Sequence, residues 1–399
     1  MGMPTTVERI WPEDPAAMGG RRQRAGFRYS AFVPDPIATL EPVVSFETAS
    51  SVADAQTAIR ALNEQVSVRG LEAIGPLLLR SEAVASSRIE GYDISPLNLA
   101  RALIDPRAAR GTARTVAANV SAMEEAVAIG TRASPIAIDD LLAIHRTLMI
   151  SEPRARPGQL RQEQNWIGGR LSNPSDARYV PPPETHVPGL MADLVTFVNR
   201  ADLPAIAQAA IAHAQFETIH PFVDGNGRVG RCLIHVVLRR RDVAPRFVPP
   251  VSIVLAARPT AYVGGLIDFR DGRVAQWIDS FAAAATTAAT ASVELAERVA
   301  DLQEDWRARA GRPRAGSAAA RLIGLLPALP VLSAPTARVA IGVSQQQTLA
   351  GLKDLAAAGV IRQISPGSYD RQYAATELFD LVAAYEELVI SPSSADGPR

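Results

Sequence analysis

Apolar residues recur at helical spacing over much of the chain. In residues 49–90 they fall at Ala55, Ile59, Leu62 and Val66, then at Leu71, Ile74, Leu77 and Leu78, the i, i+3, i+4, i+7 pattern of amphipathic helices. Gly91, just past Glu90, predicts the stop. Further helices are expected over residues 115–130 and 138–148, the second with Ser134 as N-cap and Pro135 in first position. Residues 157–188 break the pattern with Gly, Pro, Asn and Ser. Two short extended pieces, near 165–167 and 178–181, predict a β-hairpin there. Helical spacing resumes at 189–199 and 204–218, and again after a Gly-rich loop to about residue 240. Residues 273–309 read as one or two Ala-rich helices.

The remaining segments set the domain order. Residues 1–42, rich in Pro, Gly and Arg, read as an extended arm, and 311–316 (GRPRAG) as a linker. Beyond it come a helix at 318–326, a helix at 335–341, a tight turn at Gly342, a helix at 344–358 stopped by Gly359, and strands at 360–364 and 372–375 about a turn at Pro366–Gly367. Helix, helix-turn-helix and hairpin is the winged-helix order. The expected boundaries are an N-terminal helical region at 1–110, a central core at 111–312, a winged-helix domain at 313–390 and a disordered tail at 391–399. The fold class expected is mainly α.

Composition narrows the function classes. The 399 residues carry 41 Lys+Arg and 41 Asp+Glu, so no whole-chain attraction to nucleic acid or membrane is available. The single cysteine, Cys232, forbids an intrachain disulfide and a Cys-rich zinc site, and suits a reducing compartment. The N-terminal residues do not read as a signal peptide, and no run of about 18 apolar residues suggests a spanning helix. A cytoplasmic setting is expected.

The chemistry concentrates in Phe216–Arg231, FETIHPFVDGNGRVGR. Gly225, Gly227 and Gly230 allow close backbone approach to a ligand. Asn226 is a good N-cap for the helix that follows, and a helix N-terminus favours anions. Arg228 and Arg231, three apart, share a helix face and can grip phosphate bidentately. Asp224 beside such a cradle suits Mg²⁺, and His220 can take a proton near neutral pH. A cradle, a metal ligand and a base suffice for in-line transfer to a hydroxyl.

This stretch resembles the Fic family, whose signature is H-P-F-x-[DE]-G-N-G-R-x-x-R. His220, Pro221, Phe222, Asp224, Gly225, Asn226, Gly227, Arg228 and Arg231 match every fixed position, and the likeness extends over most of residues 30–310. The resemblance implies a Fic-type helical bundle with a short β-hairpin flap, and a protein adenylyltransferase that moves AMP from ATP onto a Ser, Thr or Tyr hydroxyl. His220 would deprotonate that hydroxyl. Asp224 would hold Mg²⁺ (or Mn²⁺). Asn226, Arg228 and the amides of Gly225 and Gly227 would position the α- and β-phosphates, and Arg231 the γ-phosphate. The flap near 165–169 would dock the target protein by strand addition.

Ser86-Ser87-Arg88-Ile89-Glu90-Gly91 resembles the family's inhibitory sequence [ST]-x-x-x-E-[GN]. Ser86 and Glu90, four apart, share a helix face. The resemblance pairs Glu90 with Arg231 in the space of the γ-phosphate, the class with its inhibitory helix ahead of the core in the same chain. AMP removal, or both directions, stands as the alternative activity.

Other residues read as structural. His145, His213 and His235 lie on helical segments, His186 in a loop, Cys232 on an apolar helix. Tyr262, Leu266 and Trp277 stand where the family often has paired tyrosines against adenine, and could substitute for them. A DNA-binding regulator acting through the winged helix is a different class, but its presumed recognition helix, SQQQTLAGLKDLAAAG, offers Lys353 alone as a cation, against Asp354, where phosphate contacts normally dominate. A homodimer is carried beside ATP and the target protein as a partner.

Overall fold

The computed structural model describes residues 5–13, 25–68, 72–169, 173–365 and 371–390. In chain order the elements are β1 (Thr5–Trp11), β2 (Phe27–Val33), α1 (Phe46–Val68), α2 (Ile74–Ile89), α3 (Pro96–Ile104), α4 (Gly111–Gly130), α5 (Ile138–Leu148), α6 (Val187–Val198), α7 (Ala205–Ile219), α8 (Asn226–Arg240), α9 (Val251–Ala257), α10 (Pro259–Arg270), α11 (Val274–Arg309), α12 (Ala318–Leu325), β3 (Val331–Ser333), α13 (Ala334–Ile341), α14 (Gln345–Ala357), β4 (Arg362–Gln363), β5 (Gln372–Ala374) and α15 (Thr376–Ile390). The mainly helical class expected from the apolar spacing is the one observed. Packing divides the chain into one unit of residues 1–53, 125–241 and 260–282 and another of residues 54–124, 242–259 and 283–399. Neither is a single stretch of sequence.

In the first unit α7 is buried on almost every side, its polar Gln208, His213 and Gln215 included. Its Ala-rich sequence lets α8 approach closely. A Cβ on Gly230 of α8 would lie 3.1 Å from the Phe216 ring and 3.2 Å from His213 Nδ1, so that crossing has no room for a side chain. The arm expected at the N-terminus is instead an antiparallel pair, β1 with β2, in register from Thr5↔Val33 to Trp11↔Phe27. Phe32 N–H in β2 donates to Val180 O at 2.9 Å. Among the described residues the hairpin expected over 165–181 shows one bridge, Ile167↔Tyr179. α5 does not start from Ser134: its N-cap is Ala137, whose N–H donates to Asp140 Oδ2 at 2.8 Å. The start slips because Asn199 claims the backbone of Ile136, accepting its N–H at 2.9 Å and donating to its C=O at 2.8 Å.

In the second unit α2 runs to Ile89 with Glu90 as C-cap and Gly91 at φ +83°, the stop read from the sequence. Glu82, 1% exposed on α2, accepts from Ser252 N–H of α9 at 2.8 Å and from its hydroxyl. Toward the C-terminus the helix-turn-helix is α13, Gly342 at φ +65° and α14, the latter opened by a Ser344/Gln347 capping box. The strands form a sheet ordered β3-β5-β4. Ala100 of α3 packs with Val331 and Ala374 against it. The expected strand at 360–364 is shortened to Arg362–Gln363; α3, α9, α10, α15 and β3 had no clear signal. The turn at 366–367, the tail at 391–399 and part of the N-terminal arm lie outside the described residues.

Candidate active site

The site is the turn between α7 and α8. α7 ends on His220, a non-glycine residue at φ +50°, ψ +60°, a region that costs about 1–3 kcal/mol and persists only where surroundings over-determine it. Gly225, at φ +79°, is the N-cap of α8, where a Cβ would meet Met149 Sδ at 3.0 Å. Between them Phe222 is buried as the loop's anchor.

Asn226 is not the cap of α8. It is the helix's first residue, and its side-chain amide turns back on Phe222, accepting its N–H at 2.8 Å and donating to its C=O at 2.9 Å. One amide thereby closes the loop on itself. As cap, Gly225 offers no side chain to the first N–H groups of α8, and such groups with the helix dipole form an anion site.

His145 supports the loop from below. It stacks flat on Phe222, ring centroids 3.8 Å apart. Its Nδ1 accepts Gly158 N–H at 3.0 Å, so the proton is on Nε2, which donates to Asp224 O at 3.1 Å. Burial pulls its pKa down to about 4, so the ring is neutral near pH 7. The structural role read for His145 is the one observed, with the precise partners that no spacing could give.

Arg228 and Arg231 follow on α8, each 1% exposed. Arg228 reaches Met149 Sδ at 3.7 Å, and Arg231 donates to Tyr262 Oη at 3.5 Å. Tyr262 Oη lies 2.9 Å from His213 Nε2. Burial of His213, then the Arg231 charge, lowers its pKa to about 3. Tyr262 and Trp277 are core residues; Trp277 Nε1–H donates to Ala210 O at 2.7 Å and the ring packs over Gly265. They do not offer an exposed face to a nucleobase, because each is committed to α7.

Asp224 is exposed; its Oδ1 accepts Gly225 N–H at 2.6 Å. Among the described residues no group of three or more His, Cys, Asp or Glu converges. A lone exposed carboxylate at an anion-binding helix start fits Mg²⁺ that keeps most of its ligands as water and phosphate. Beside the loop opens a cleft of about 670 Å³, lined by Trp11, Tyr29, Arg161, Asn165, Trp166 and Val223 among others. Ser86 and Glu90 belong to the other unit: Ser86 is buried on α2, and Glu90 is exposed at its end. Arg161, which the sequence reading passed over, contacts the loop directly; a single arginine in a polar Gly/Pro stretch carries no periodic signal.

The Fic/DOC family model matches residues 135–238, a narrower stretch than the likeness read from the motifs. Over 117 residues the chain is 32% identical to protein adenylyltransferase fic-1 of Caenorhabditis briggsae, covering 29% of this chain and 21% of that protein. It is 32% identical over the same length to protein adenylyltransferase Fic of Drosophila erecta, covering 29% and 22%. The matched stretch thus spans about a fifth of these relatives. A Fic family protein from Desulfovibrio desulfuricans G20 shares the fold, with a TM-score of 0.51 and 24% identity over 84% of this chain and 98% of that one. No helix among the described residues is long and apolar enough to cross a membrane. The turn carrying His220, Asp224, Arg228 and Arg231, with the helices on either side of it, is that of a Fic/DOC-family domain over residues 135–238.

Proposed function

We propose that this chain transfers AMP from ATP to a hydroxyl side chain of a target protein. The observation that carries the reading is His220, held in a left-handed turn directly ahead of the α8 start with its two buried arginines. His220 takes the proton of the target hydroxyl. The freed oxygen attacks the α-phosphorus, the bond from that phosphorus to the bridging oxygen breaks, and pyrophosphate leaves. The Gly225 turn and the α8 N–H groups hold the α- and β-phosphates, with Arg228 beside them; Arg231 holds the γ-phosphate. Asn226 serves by shaping the loop through Phe222. Asp224 would hold Mg²⁺, which supplies charge neutralisation to the phosphates when bound. Such transfer relies on positioning and electrostatics.

Glu90 is the proposed restraint. Its support is SSRIEG at a helix end in a chain with the full His220 loop; an anion at a helix C-terminus is unfavourable by itself and calls for a cationic partner. Incubation of the chain and of Glu90→Gly with α-labelled ATP and Mg²⁺ tests the activity: covalent AMP on protein, lost in His220→Ala, supports it, and no AMP on any protein with either chain refutes it.

The C-terminal helix-turn-helix and sheet are read as a winged-helix interaction module. On its second helix Gln345, Gln346, Leu349 and Lys353 are exposed, a face with one cation. Retention of genomic DNA in a gel shift at moderate salt by micromolar protein would contradict this.

A further inference from the structure

Arg161 stands at the root of the 163–181 segment and is 2% exposed. Its guanidinium donates to four backbone carbonyls. Nε–H donates to His220 O at 2.9 Å and Nη1 to Glu163 O at 3.0 Å; Nη2 donates to Pro182 O at 2.5 Å and to Ile219 O at 3.4 Å. Its own backbone N–H donates to Pro221 O at 2.9 Å. Nearby, Asn165 Nδ2 reaches His220 O at 3.3 Å and Phe222 O at 2.9 Å. The guanidinium therefore ties the Ile219 and His220 carbonyls of the active-site turn to both ends of the flap segment, and the Arg161 backbone N–H holds the next carbonyl, that of Pro221.

We propose that Arg161 is a positioning residue for His220, holding its left-handed turn through the His220 carbonyl and joining the target-docking flap to that same peptide. The carbonyl that Arg161 and Asn165 grip belongs to the peptide whose rotation is ψ of His220, and φ +50°, ψ +60° is a conformation that needs outside support. The bonds are charge-assisted, and their fork geometry is one that an ammonium does not reproduce. Burial brings the Arg161 pKa down to about 10, so all its donors remain protonated at neutral pH. The arrangement couples the base to both ends of the flap segment: what loosens Arg161 misplaces both, while Arg228 and Arg231 of α8 are untouched. The consequence for activity rests on the AMP-transfer reading; the consequence for the His220 ring does not.

The test compares Arg161→Lys with the parent in a Glu90→Gly background. Three quantities are read: Mg·ATP affinity by calorimetry, the rate of self-labelling from α-labelled ATP, and the ¹³C–¹H signal of the His220 imidazole, assigned by its absence in His220→Ala. The expected result is at least a tenfold loss of labelling, a dissociation constant for ATP within about twofold, and a displaced or broadened His220 signal. An Arg161→Lys chain that is folded and keeps both the labelling rate and the His220 signal overturns the proposal. A purely structural Arg161 would lower the melting temperature and leave the His220 signal of the folded chain in place, which also overturns it. If the parent shows no labelling, the transfer reading fails, and the His220 signal alone decides this one. If Arg161→Lys does not fold, Asn165→Ala removes the second donor to the same carbonyl and is expected to shift the His220 signal in the same way; an unshifted signal there refutes the proposal.

Discussion

The side-chain amide of Asn226 spans the peptide groups of Phe222, receiving its N–H at 2.8 Å and giving a hydrogen bond to its C=O at 2.9 Å. Both residues are buried, so no water stands ready to replace either bond. Asn226→Leu keeps the volume and removes both. The orphaned Phe222 N–H costs about 1–3 kcal/mol; its C=O retains Asn165. A fall in melting temperature of several degrees is expected, together with loss of nucleotide binding, since the loop no longer closes. Unchanged melting would show that the clamp is dispensable.

His220→Ala is expected to abolish AMP transfer while leaving Mg·ATP affinity nearly intact, because the glycine turn and the α8 arginines do not depend on the imidazole. Calorimetric titration beside a labelling assay separates the two effects. Loss of ATP binding together with activity would make His220 a structural residue and not the base.

Activity is expected to require Mg²⁺ or Mn²⁺, and Asp224→Ala to weaken nucleotide binding only in their presence. Titration of ATP with and without EDTA, on both chains, reads this directly. An equal loss of affinity in EDTA would place Asp224 in loop structure, where its carboxylate already holds Gly225 N–H.

His213 makes a stability prediction independent of catalysis. Its pKa is about 3 in the fold, chiefly through burial, against about 6.5 in an unfolded chain. Between those values the unfolded state binds a proton that the folded state does not, so stability falls as pH is lowered through that window and is fully present above it. His213→Gln, which removes the titrating group, should flatten the decline in melting temperature between pH 6.5 and 4. Identical slopes would mean that the destabilisation by acid arises elsewhere.

These residues also show what could be read from sequence. The His220 loop was legible because glycine, asparagine and arginine at fixed spacing have few other uses, and α7 and α8 were legible from unbroken apolar spacing. Asn226 was read by propensity as a cap; the tertiary bond to Phe222 took it elsewhere. Ser134 failed as a cap for the same kind of reason, since Asn199, more than sixty positions away, binds Ile136. The β1–β2 pair was missed because its strands, TTVERIW and FRYSAFV, are set in Pro-, Gly- and Arg-rich sequence and find each other across a long connection. Tyr262 and Trp277 fitted a nucleobase wall by position, and only their hydrogen bonds to α7 reveal them as core. Arg161 carried no periodicity, and its four carbonyl partners are scattered over residues 163–220.

Mass spectrometry of protein after incubation with Mg·ATP measures most directly the proposed AMP transfer by His220 and its proposed restraint by Glu90. A charge-assisted pair of the kind expected for Glu90 is worth about 1.5–3 kcal/mol, which corresponds to roughly tenfold to a hundredfold in rate. Glu90→Gly should therefore raise AMP incorporation by that order over the unaltered chain. Arg231→Ala should be inactive, with or without Glu90→Gly, because the arginine is itself needed for the productive phosphate pose. Equal incorporation by the unaltered chain and Glu90→Gly, or incorporation that survives His220→Ala, would contradict the account.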